Sequence, residues 1–292
     1  MENWINKGGG LIITTYGLIL NTDKKNAKSA AQKVIDILKK NNVSFLLDKK
    51  AADMLSLSEK SADYKLLRDK ADLVILFGGD GTFLHTAHHF QGTDIPLLGV
   101  NLGSLGFMTE IEINEIEDTL IKMINNRYEV EERMMLEVVV ERNGYEVFHS
   151  HALNDVVVNR DANAHLTNIK LFVRNEFIHS YNGDGLIIAT PTGSTAYSLS
   201  AGGPIINSQM RAILITPICP HSLSIRPMIV DASENIKIEV YGDESKMKIA
   251  SDGRYDYNLS NGDLIKIKSS QKTVSLVKLP DKNFYKILRE KM

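Results

Sequence analysis

The chain has 292 residues, of which 43% are hydrophobic, enough material for two domains with buried cores. The formal charge is -2, from 34 basic and 36 acidic residues, and no basic run is long enough to follow a phosphate backbone, so we expect no nucleic-acid partner. The single cysteine, Cys219, excludes an intramolecular disulfide and a cysteine-based zinc cluster, and we expect it to be a small apolar core residue rather than a nucleophile.

The apolar stretch nearest the start of the chain does not predict a membrane span. Residues 11–20 provide half of the roughly 20 residues that a membrane helix needs, and they include Thr14, Thr15 and Tyr16. No small-residue cleavage site follows, so no export signal is indicated. We therefore expect a cytoplasmic protein without a membrane partner.

The N-terminal part of the chain alternates between strand-like and helix-like segments. Extended segments are predicted at residues 11–20, 43–47, 73–77 and 95–100, and helices at 25–40 and 82–90. This alternation is typical of βαβ units in a parallel sheet. One face of the first predicted helix is apolar and should lie on that sheet, through Ala27, Ala31, Val34, Ile35 and Leu38.

A glycine-rich loop with an internal acid follows the strand at residues 73–77. It consists of Gly78, Gly79, Asp80, Gly81 and Thr82. Glycines bring bare backbone N–H groups against a phosphate, but a carboxylate repels that phosphate unless it contacts Mg²⁺ or takes a proton from an attacking hydroxyl. The pattern favours phosphoryl transfer, and an ordinary βα turn is the alternative. The loop is neither a Walker A motif nor a Gly-x-Gly-x-x-Gly fingerprint.

A second glycine-punctuated turn, residues 99–107, follows the next strand. The carboxyl ends of parallel strands meet at one edge of the sheet, where open α/β sheets bind ligands. We therefore expect this turn to face the loop of Asp80, although a simple connecting loop remains the alternative.

After Tyr128 the pattern changes to short strands and two-residue turns. Strands are predicted at residues 136–140, 169–173 and 264–267, and Asn-Gly pairs that favour hairpins begin at Asn143, Asn182 and Asn261. We predict an α/β domain at residues 1–126, a mostly antiparallel β domain at 127–272, and a segment at 273–292 that ends in a short helix and packs back on the first domain.

Two further segments are candidates for ligand binding. Asn154 and Asp155 place an amide and a carboxylate in an apolar strand, where a nucleoside would pair with both, and a strand-end turn is the alternative. Residues 190–198 carry five hydroxyl residues and Tyr197 at a predicted helix start. A plain N-cap would explain Ser194 or Thr195 but not the density of small polar residues.

Together these motifs resemble the NAD kinases, which phosphorylate the 2′-hydroxyl of the adenosine ribose in NAD to give NADP. The resemblance covers most of the chain, and residues 190–197, Thr-Pro-Thr-Gly-Ser-Thr-Ala-Tyr, are its most specific part. It implies an α/β plus all-β fold, with a Rossmann-like N-terminal domain, a C-terminal β-sandwich-like domain and a substrate site between them.

The resemblance also implies roles for individual residues. Asp80 would be the general base, and Gly78, Gly79 and Gly81 would hold phosphate groups through their N–H groups. His85 and His165 would approach the dinucleotide, although both could equally be surface histidines. The remaining expected contacts are to NAD, at Asn154, Asp155, Asp184, Thr195, Ala196, Tyr197, Ser198, Leu199 and Ser200.

The expected small-molecule partners are NAD and ATP, with Mg²⁺ or another divalent metal accompanying ATP, and no protein ligand of the metal is assigned. Polyphosphate is an alternative donor. The resemblance suggests a homodimer or homotetramer. Two rival functions remain: a lipid or sugar kinase with the same glycine loop, and a non-catalytic dinucleotide sensor.

Overall fold

The computed structural model describes residues 13–103, 106–109, 111–160, 167–222, 224–241, 247–280 and 282–291. Its helices are α1 (Ala27–Lys40), α2 (Lys49–Leu55), α3 (Tyr64–Lys70), α4 (Asp80–Phe90), α5 (Ile116–Ile124), α6 (Tyr197–Ser200) and α7 (Phe284–Lys291). Its strands are β1 (Thr15–Leu20), β2 (Ser44–Asp48), β3 (Ser61–Ala62), β4 (Leu73–Gly78), β5 (Leu97–Asn101), β6 (Glu129–Arg142), β7 (Tyr145–Ala152), β8 (Asp155–Arg160), β9 (Thr167–Val173), β10 (Glu176–Gly183), β11 (Gly185–Ala189), β12 (Ala212–Ile218), β13 (Met228–Asp231), β14 (Ile236–Tyr241), β15 (Met247–Ser251), β16 (Tyr255–Leu259) and β17 (Leu264–Lys278).

The chain divides into two compact units. The first contains the chain up to Glu132 together with the segment from Val274 onward, and the second is Arg133–Thr273. No helix in the described part of the chain is long and apolar enough to cross a membrane.

The first unit is built on a parallel sheet with the strand order β3-β2-β1-β4-β5. Leu276, near the end of β17, pairs in parallel with Leu97 of β5 and extends this sheet. Strand β4 is buried along its whole length, as a strand covered on both faces must be. The apolar face predicted for α1 is confirmed, because all five of its members are buried in the core of this unit.

The strand order reverses between the neighbouring strands β1 and β4. The chain goes from β1 to β2 on one side of this pair and from β4 to β5 on the other side. Helix α4 starts at Asp80, two residues earlier than predicted. Gly79 is the extended residue before the helix (φ -122°), and an acidic first residue suits the positive end of the helix dipole. Gly81 is tolerated because it lies in the first turn, whose N–H groups have no intrahelical acceptor.

The C-terminal segment packs within the first unit. Val277 and Leu279 lie in the same core as α1 and β1, and Ile287 is the buried residue of α7. Lys282 Nζ lies 2.7 Å from Glu115 Oε1, and Lys291 Nζ lies 4.4 Å from the centre of the Phe107 ring.

The second unit is a sandwich of two sheets. One has the strand order β10-β9-β14-β17-β6-β7, and the other the order β13-β12-β11-β8-β15-β16. Apolar side chains from both sheets form one core, which includes Val138, Leu171 and Ile238 from the first sheet and Val156, Ile188 and Ile215 from the second. The α/β plus β-sandwich fold class expected from the sequence is therefore confirmed.

One of the three predicted hairpins is present. Asn143 and Gly144 join β6 to its antiparallel partner β7, and both have positive φ (53° and 81°), as a tight primed turn requires. A hairpin that was not predicted joins β9 to β10 through Arg174 and Asn175, which also have positive φ (52° and 67°).

The other two predicted hairpins are wrong. Gly183 pairs with β9 in one sheet, whereas Gly185 pairs with β8 and β12 in the other. Similarly, Asn261 and Gly262 connect β16 to β17, which belong to different sheets. The first pair ends β10 and the second follows β16, and in both places the chain continues into the other sheet instead of back along the same one. Cys219 is exposed, so its prediction as a core residue is also wrong.

Candidate active site

The glycine loop after β4 leaves open space beside two of its glycines. A Cβ on Gly78 would lie 2.4 Å from Thr82 Oγ1, so packing explains this glycine. A Cβ on Gly79 or Gly81 would meet no atom within 4 Å, and protein packing therefore does not account for them. Because the first N–H groups of α4 point out of the helix here, the loop can accept an anion close to its backbone.

The Asp80 carboxylate is fixed by the loop that follows β5. Its Oδ2 accepts a hydrogen bond from the Phe107 N–H at 2.8 Å. Its Oδ1 accepts from the Met108 N–H at 3.1 Å, the Thr109 N–H at 3.2 Å and the Thr109 hydroxyl at 3.1 Å. The expectation that the two glycine-rich turns face each other is therefore confirmed.

The two oxygens of Asp80 differ in what they can still accept. A carboxylate has about four lone-pair sites in total, two on each oxygen. Oδ1 shares its two sites among three donors and is saturated, whereas Oδ2 takes one donor from the described residues. Oδ2 therefore retains room for one more hydrogen-bond donor, such as a hydroxyl group.

Gly106 allows the loop after β5 to lie directly against the Asp80 carboxylate. A Cβ at this position would lie 1.9 Å from Asp80 Oδ1 and 2.3 Å from Thr109 Oγ1. Only glycine lets the backbone approach the carboxylate this closely. The sequence pattern showed a glycine-rich turn but not which of its glycines the carboxylate requires.

Asn21 contacts the glycine loop, although no sequence motif predicts it. It follows β1 directly, its side-chain amide donates to Thr82 Oγ1 at 3.1 Å, and its N–H bonds the Phe77 carbonyl at 2.9 Å. It therefore joins β1 to the glycine loop at the point where the strand order reverses. A single asparagine after a strand carries no distinguishing sequence signal.

His85 lies on α4, the helix that begins with Asp80, within a group of aromatic rings. Its ring centre is 6.2 Å from that of Tyr64 and 5.0 Å from that of His89, and Tyr64 stacks on His89 at 3.9 Å. The other predicted histidine, His165, lies outside the described residues.

In the second unit, Asn154 and Asp155 sit at a turn held by a distant carboxylate. Asp252 Oδ1 accepts from the N–H groups of Asn154 at 2.8 Å and Asp155 at 3.0 Å, and Oδ2 accepts from Leu153 at 2.8 Å. The Asp252 N–H returns a bond to the Asp155 carbonyl at 2.9 Å. Asp252 has a positive φ of 52°, which Asp tolerates better than most residues.

The Asp155 carboxyl is in an unusual environment for an acid. It is only 6% exposed, and burial together with the nearby negative charge of Asp252 raises its pKa to about 7. Asp155 is therefore divided between its neutral and ionised forms near neutral pH, so that it can donate or accept a hydrogen bond.

The hydroxyl-rich segment is anchored to the same turn. The Thr190 hydroxyl donates to the Leu153 carbonyl at 2.5 Å, and the Thr190 N–H bonds the Asn154 carbonyl at 2.8 Å. A Cβ on Gly193 would lie 2.1 Å from the Asn154 carbonyl oxygen, so a glycine is required. The structure thus joins Asn154 and Asp155 to residues 190–193.

Several hydroxyls in this segment form hydrogen bonds within the protein. The Ser198 hydroxyl is buried and lies 2.8 Å from that of Thr216, and the Ser194 hydroxyl donates to the Pro191 carbonyl at 2.7 Å. The Thr195 hydroxyl donates to the Thr192 carbonyl at 3.3 Å. Of the other predicted contacts, Tyr197 and Ser200 are exposed and Ala196 and Leu199 half-buried.

Asp184 lies away from this cluster. Its Oδ1 is 2.8 Å from both Nε and Nη2 of Arg160, at the end of β8 opposite to Asp155. In the register of β8 and β11, Asp155 pairs with Ala189 and Asn159 with Gly185. Asp184 therefore lies beside Arg160, five residues along β8 from Asp155. At roughly 3.3 Å per residue, this distance is about 17 Å. Within one chain, the structure does not bring these two predicted site residues together.

Comparison with protein families gives matches in both units. A model described as the ATP-NAD kinase N-terminal domain matches residues 16–128, and one described as the ATP-NAD kinase C-terminal domain matches residues 153–279. An NAD kinase from Desulforamulus reducens is 39% identical over 96% of this chain and 97% of its own length. An NAD kinase from Syntrophotalea carbinolica is 39% identical over 94% of this chain and 97% of its own length.

Two solved structures resemble this chain over most of its length. A crystal structure of yeast NADH kinase complexed with NADH matches with a TM-score of 0.87 and 29% identity, covering 96% of this chain and 87% of that one. An NAD kinase from Archaeoglobus fulgidus in complex with ATP shares the fold, with a TM-score of 0.75, 23% identity and coverage of 94% and 98%. The chain belongs to the ATP-NAD kinase family.

Proposed function

We propose that this chain transfers the γ-phosphoryl group of ATP to the 2′-hydroxyl of the adenosine ribose of NAD, forming NADP. The observation that carries this proposal is the Asp80 carboxylate, which four donors hold beside two glycines with open space around them. A fixed base next to a phosphate-binding backbone is the arrangement that phosphoryl transfer to an alcohol needs.

In this proposal, the first unit activates the acceptor hydroxyl and holds phosphate groups. Asp80 Oδ2 accepts the proton of the 2′-hydroxyl, because it is the oxygen with a remaining lone-pair site. The N–H groups at Gly79 and Gly81 hold phosphate oxygens at the start of α4. Gly78 contributes chiefly by its close packing on Thr82, and His85 approaches the dinucleotide from the next turn.

The divalent metal that accompanies ATP is compatible with these residues. Mg²⁺ keeps several waters and is bound largely through substrate phosphates, so the glycine loop that holds those phosphates would also position the ion, while Asp80 Oδ2 accepts from the 2′-hydroxyl. When bound, the ion neutralises charge on the donor phosphates. No protein ligand is assigned.

The second unit binds the nucleoside in this proposal. The half-buried Asn154 amide is suited to the adenine edge, and Asp155 can donate to or accept from ribose hydroxyls because its pKa is about 7. Of residues 195–200, Tyr197 offers an exposed aromatic ring. The roles of Asp184, His165, Thr195, Ala196, Ser198, Leu199 and Ser200 remain predictions from the family resemblance.

The direct test is to incubate purified protein with Mg²⁺, ATP and NAD and to measure NADP with an NADP-specific enzyme. Parallel reactions with diacylglycerol or a sugar alcohol as the acceptor test the rival kinases, and polyphosphate replaces ATP in a further reaction. We expect NADP to accumulate with ATP. Tight NAD binding without NADP formation would instead support a sensor. Cytoplasmic location and a homo-oligomeric state stay predictions.

Replacing Gly106 with alanine is expected to abolish most of the kinase activity, because the new Cβ would displace Asp80 Oδ1 and the Thr109 hydroxyl. A displacement of about 1 Å in a catalytic group costs on the order of 10²-fold in rate. Gly103→Ala is the matched control, since a Cβ there would meet no atom within 4 Å. Steady-state kcat values of the two variants should differ by at least about ten-fold. Equal values would show that Asp80 does not need this loop.

Asp155 should make the protein less stable as the pH rises. Its folded pKa of about 7 lies above the ordinary value of 3.8, so the folded state binds more protons between these values. The free energy of unfolding therefore falls as the pH increases from about 4 to about 7, by on the order of 2 to 4 kcal/mol from this residue. Thermal unfolding at pH 5 and pH 8 should show this loss in the wild type and a smaller one in Asp155→Asn. The exposed Asp256→Asn is the control and should behave like the wild type.

A further inference from the structure

The hairpin of β6 and β7 carries two histidines and a glutamate on one face. Glu137 of β6 pairs directly with His151 of β7, and His149 lies two residues earlier on β7, opposite Val139. Residues two apart on a strand point to the same face of the sheet. All three are at least partly exposed, so this face is open to solvent.

The ligand atoms of these residues lie close together. One atom from each of Glu137, His149 and His151 lies within 4.8 Å of the other two, and His149 Nε2 is 3.0 Å from Glu137 Oε1. In a tetrahedral zinc site with bonds of about 2.1 Å, ligand atoms are about 3.4 Å apart. Small side-chain rotations would therefore bring the three atoms to bonding positions.

The second ring nitrogen of His149 faces a carboxylate. His149 Nδ1 lies 3.6 Å from Glu146 Oε1, while Nε2 faces Glu137. Histidines that bind a metal through one nitrogen commonly orient the other toward a carboxylate, which fixes the ring and makes it a better ligand. The pair of Glu137 and Glu146 around His149 has this arrangement.

Glu137 has one carboxylate oxygen on the side of the histidines. Lys268 Nζ lies 3.2 Å from Oε2 of Glu137 and leaves Oε1 facing the histidines. Lys268 is also a nearby positive charge that competes with a cation for this carboxylate.

We propose that Glu137, His149 and His151 bind one divalent transition-metal ion of the zinc class, at a site separate from the metal that accompanies ATP. Imidazole nitrogens favour zinc, copper or nickel over Mg²⁺, which prefers oxygen ligands. Strand β7 pairs with β6 alone in the described part of the chain and forms an edge of its sheet. A metal bound by both strands would fasten this edge strand to the sheet.

The test uses the full chain without an affinity tag, stripped of metal with EDTA and desalted, in the absence of ATP and NAD. Zn²⁺ is titrated in competition with a chromophoric chelator, and the melting temperature is measured with and without Zn²⁺. We expect one bound Zn²⁺ per chain and a higher melting temperature. His149→Gln and His151→Gln should each weaken binding by at least about 10-fold, the lower range for loss of a supporting metal contact.

Two further variants separate binding from general damage. The exposed His179→Gln, on β10, should bind Zn²⁺ like the wild type. Lys268→Met should bind Zn²⁺ several-fold more tightly, because it removes the competing charge, whereas a merely disruptive change would weaken binding. Zinc affinity that is unchanged in His149→Gln and His151→Gln, or not increased in Lys268→Met, would overturn the proposal. Because no nucleotide is present, neither result depends on kinase activity.

Discussion

Replacing Asp80 with asparagine is expected to lower kcat by roughly 10² to 10⁴-fold, the range for loss of a general base. An amide nitrogen in place of Oδ2 cannot accept the proton of the 2′-hydroxyl. The amide oxygen can still receive the three hydrogen bonds that Oδ1 accepts from Met108 and Thr109. The NAD dissociation constant should change much less than kcat, because the nucleoside is proposed to bind through other residues.

Thr109→Val is the matched control for this variant. It removes the hydroxyl that donates to Asp80 Oδ1 at 3.1 Å and leaves the carboxylate and the three backbone donors in place. The loss of a single hydrogen bond to a charged group costs about 1.5 to 3 kcal/mol in stability, with only a modest effect on kcat expected. If Asp80→Asn kept full activity, Asp80 would not be the base. If Thr109→Val lowered kcat as much as Asp80→Asn does, the position of the Asp80 side chain, rather than its basicity, would account for the loss.

Replacing Asp252 with alanine is expected to reduce the free energy of unfolding by about 3 kcal/mol or more and to weaken NAD binding. The substitution leaves the N–H groups of Leu153, Asn154 and Asp155 without their acceptor, and each buried unsatisfied group costs about 1 to 3 kcal/mol. The turn that presents the Asn154 and Asp155 side chains would then lose its support. Urea unfolding and NAD titration by calorimetry measure the two effects.

Two comparisons make this test specific. Asp252→Asn keeps one acceptor oxygen and should be intermediate in stability. Asp231→Ala removes an exposed carboxylate that accepts from the Ser233 N–H at 2.9 Å, and it should leave both stability and NAD binding nearly unchanged. If Asp252→Ala were as stable as Asp231→Ala and bound NAD normally, the turn would not depend on Asp252.

The part of the site that could be predicted is the part formed by residues that are consecutive in the sequence. Strand β4, the glycine loop and α4 are consecutive, so the sequence showed both the phosphate-binding character of the loop and the anomalous acid within it. The partners of Asp80 lie 27 to 29 residues away, and those of Asp252 lie 97 to 99 residues away. No periodic pattern connects positions so far apart, and the three-dimensional fold alone brings them together.

The hairpin predictions also fail where the structure depends on contacts between distant residues. The Asn-Gly pair at residues 143–144 joins strands of one sheet. The pair at 182–183 ends β10 and the pair at 261–262 follows β16, and in both places the next strand belongs to the other sheet. All three favour the same tight backbone turn. The partner of the next strand is decided by burial of apolar side chains in the sandwich core, a property of the whole unit that the turn residues do not encode.

The proposed function depends above all on proton transfer from the ribose 2′-hydroxyl to Asp80 Oδ2. The decisive measurement is the distance between these two oxygens in a crystal structure of the chain with NAD, Mg²⁺ and a non-hydrolysable ATP analogue. We predict a hydrogen-bond distance of about 2.6 to 3.2 Å, with Oδ1 still bound to Met108 and Thr109. A 2′-oxygen well beyond hydrogen-bond reach of Asp80, with a different side chain in contact with it, would show that Asp80 is not the base.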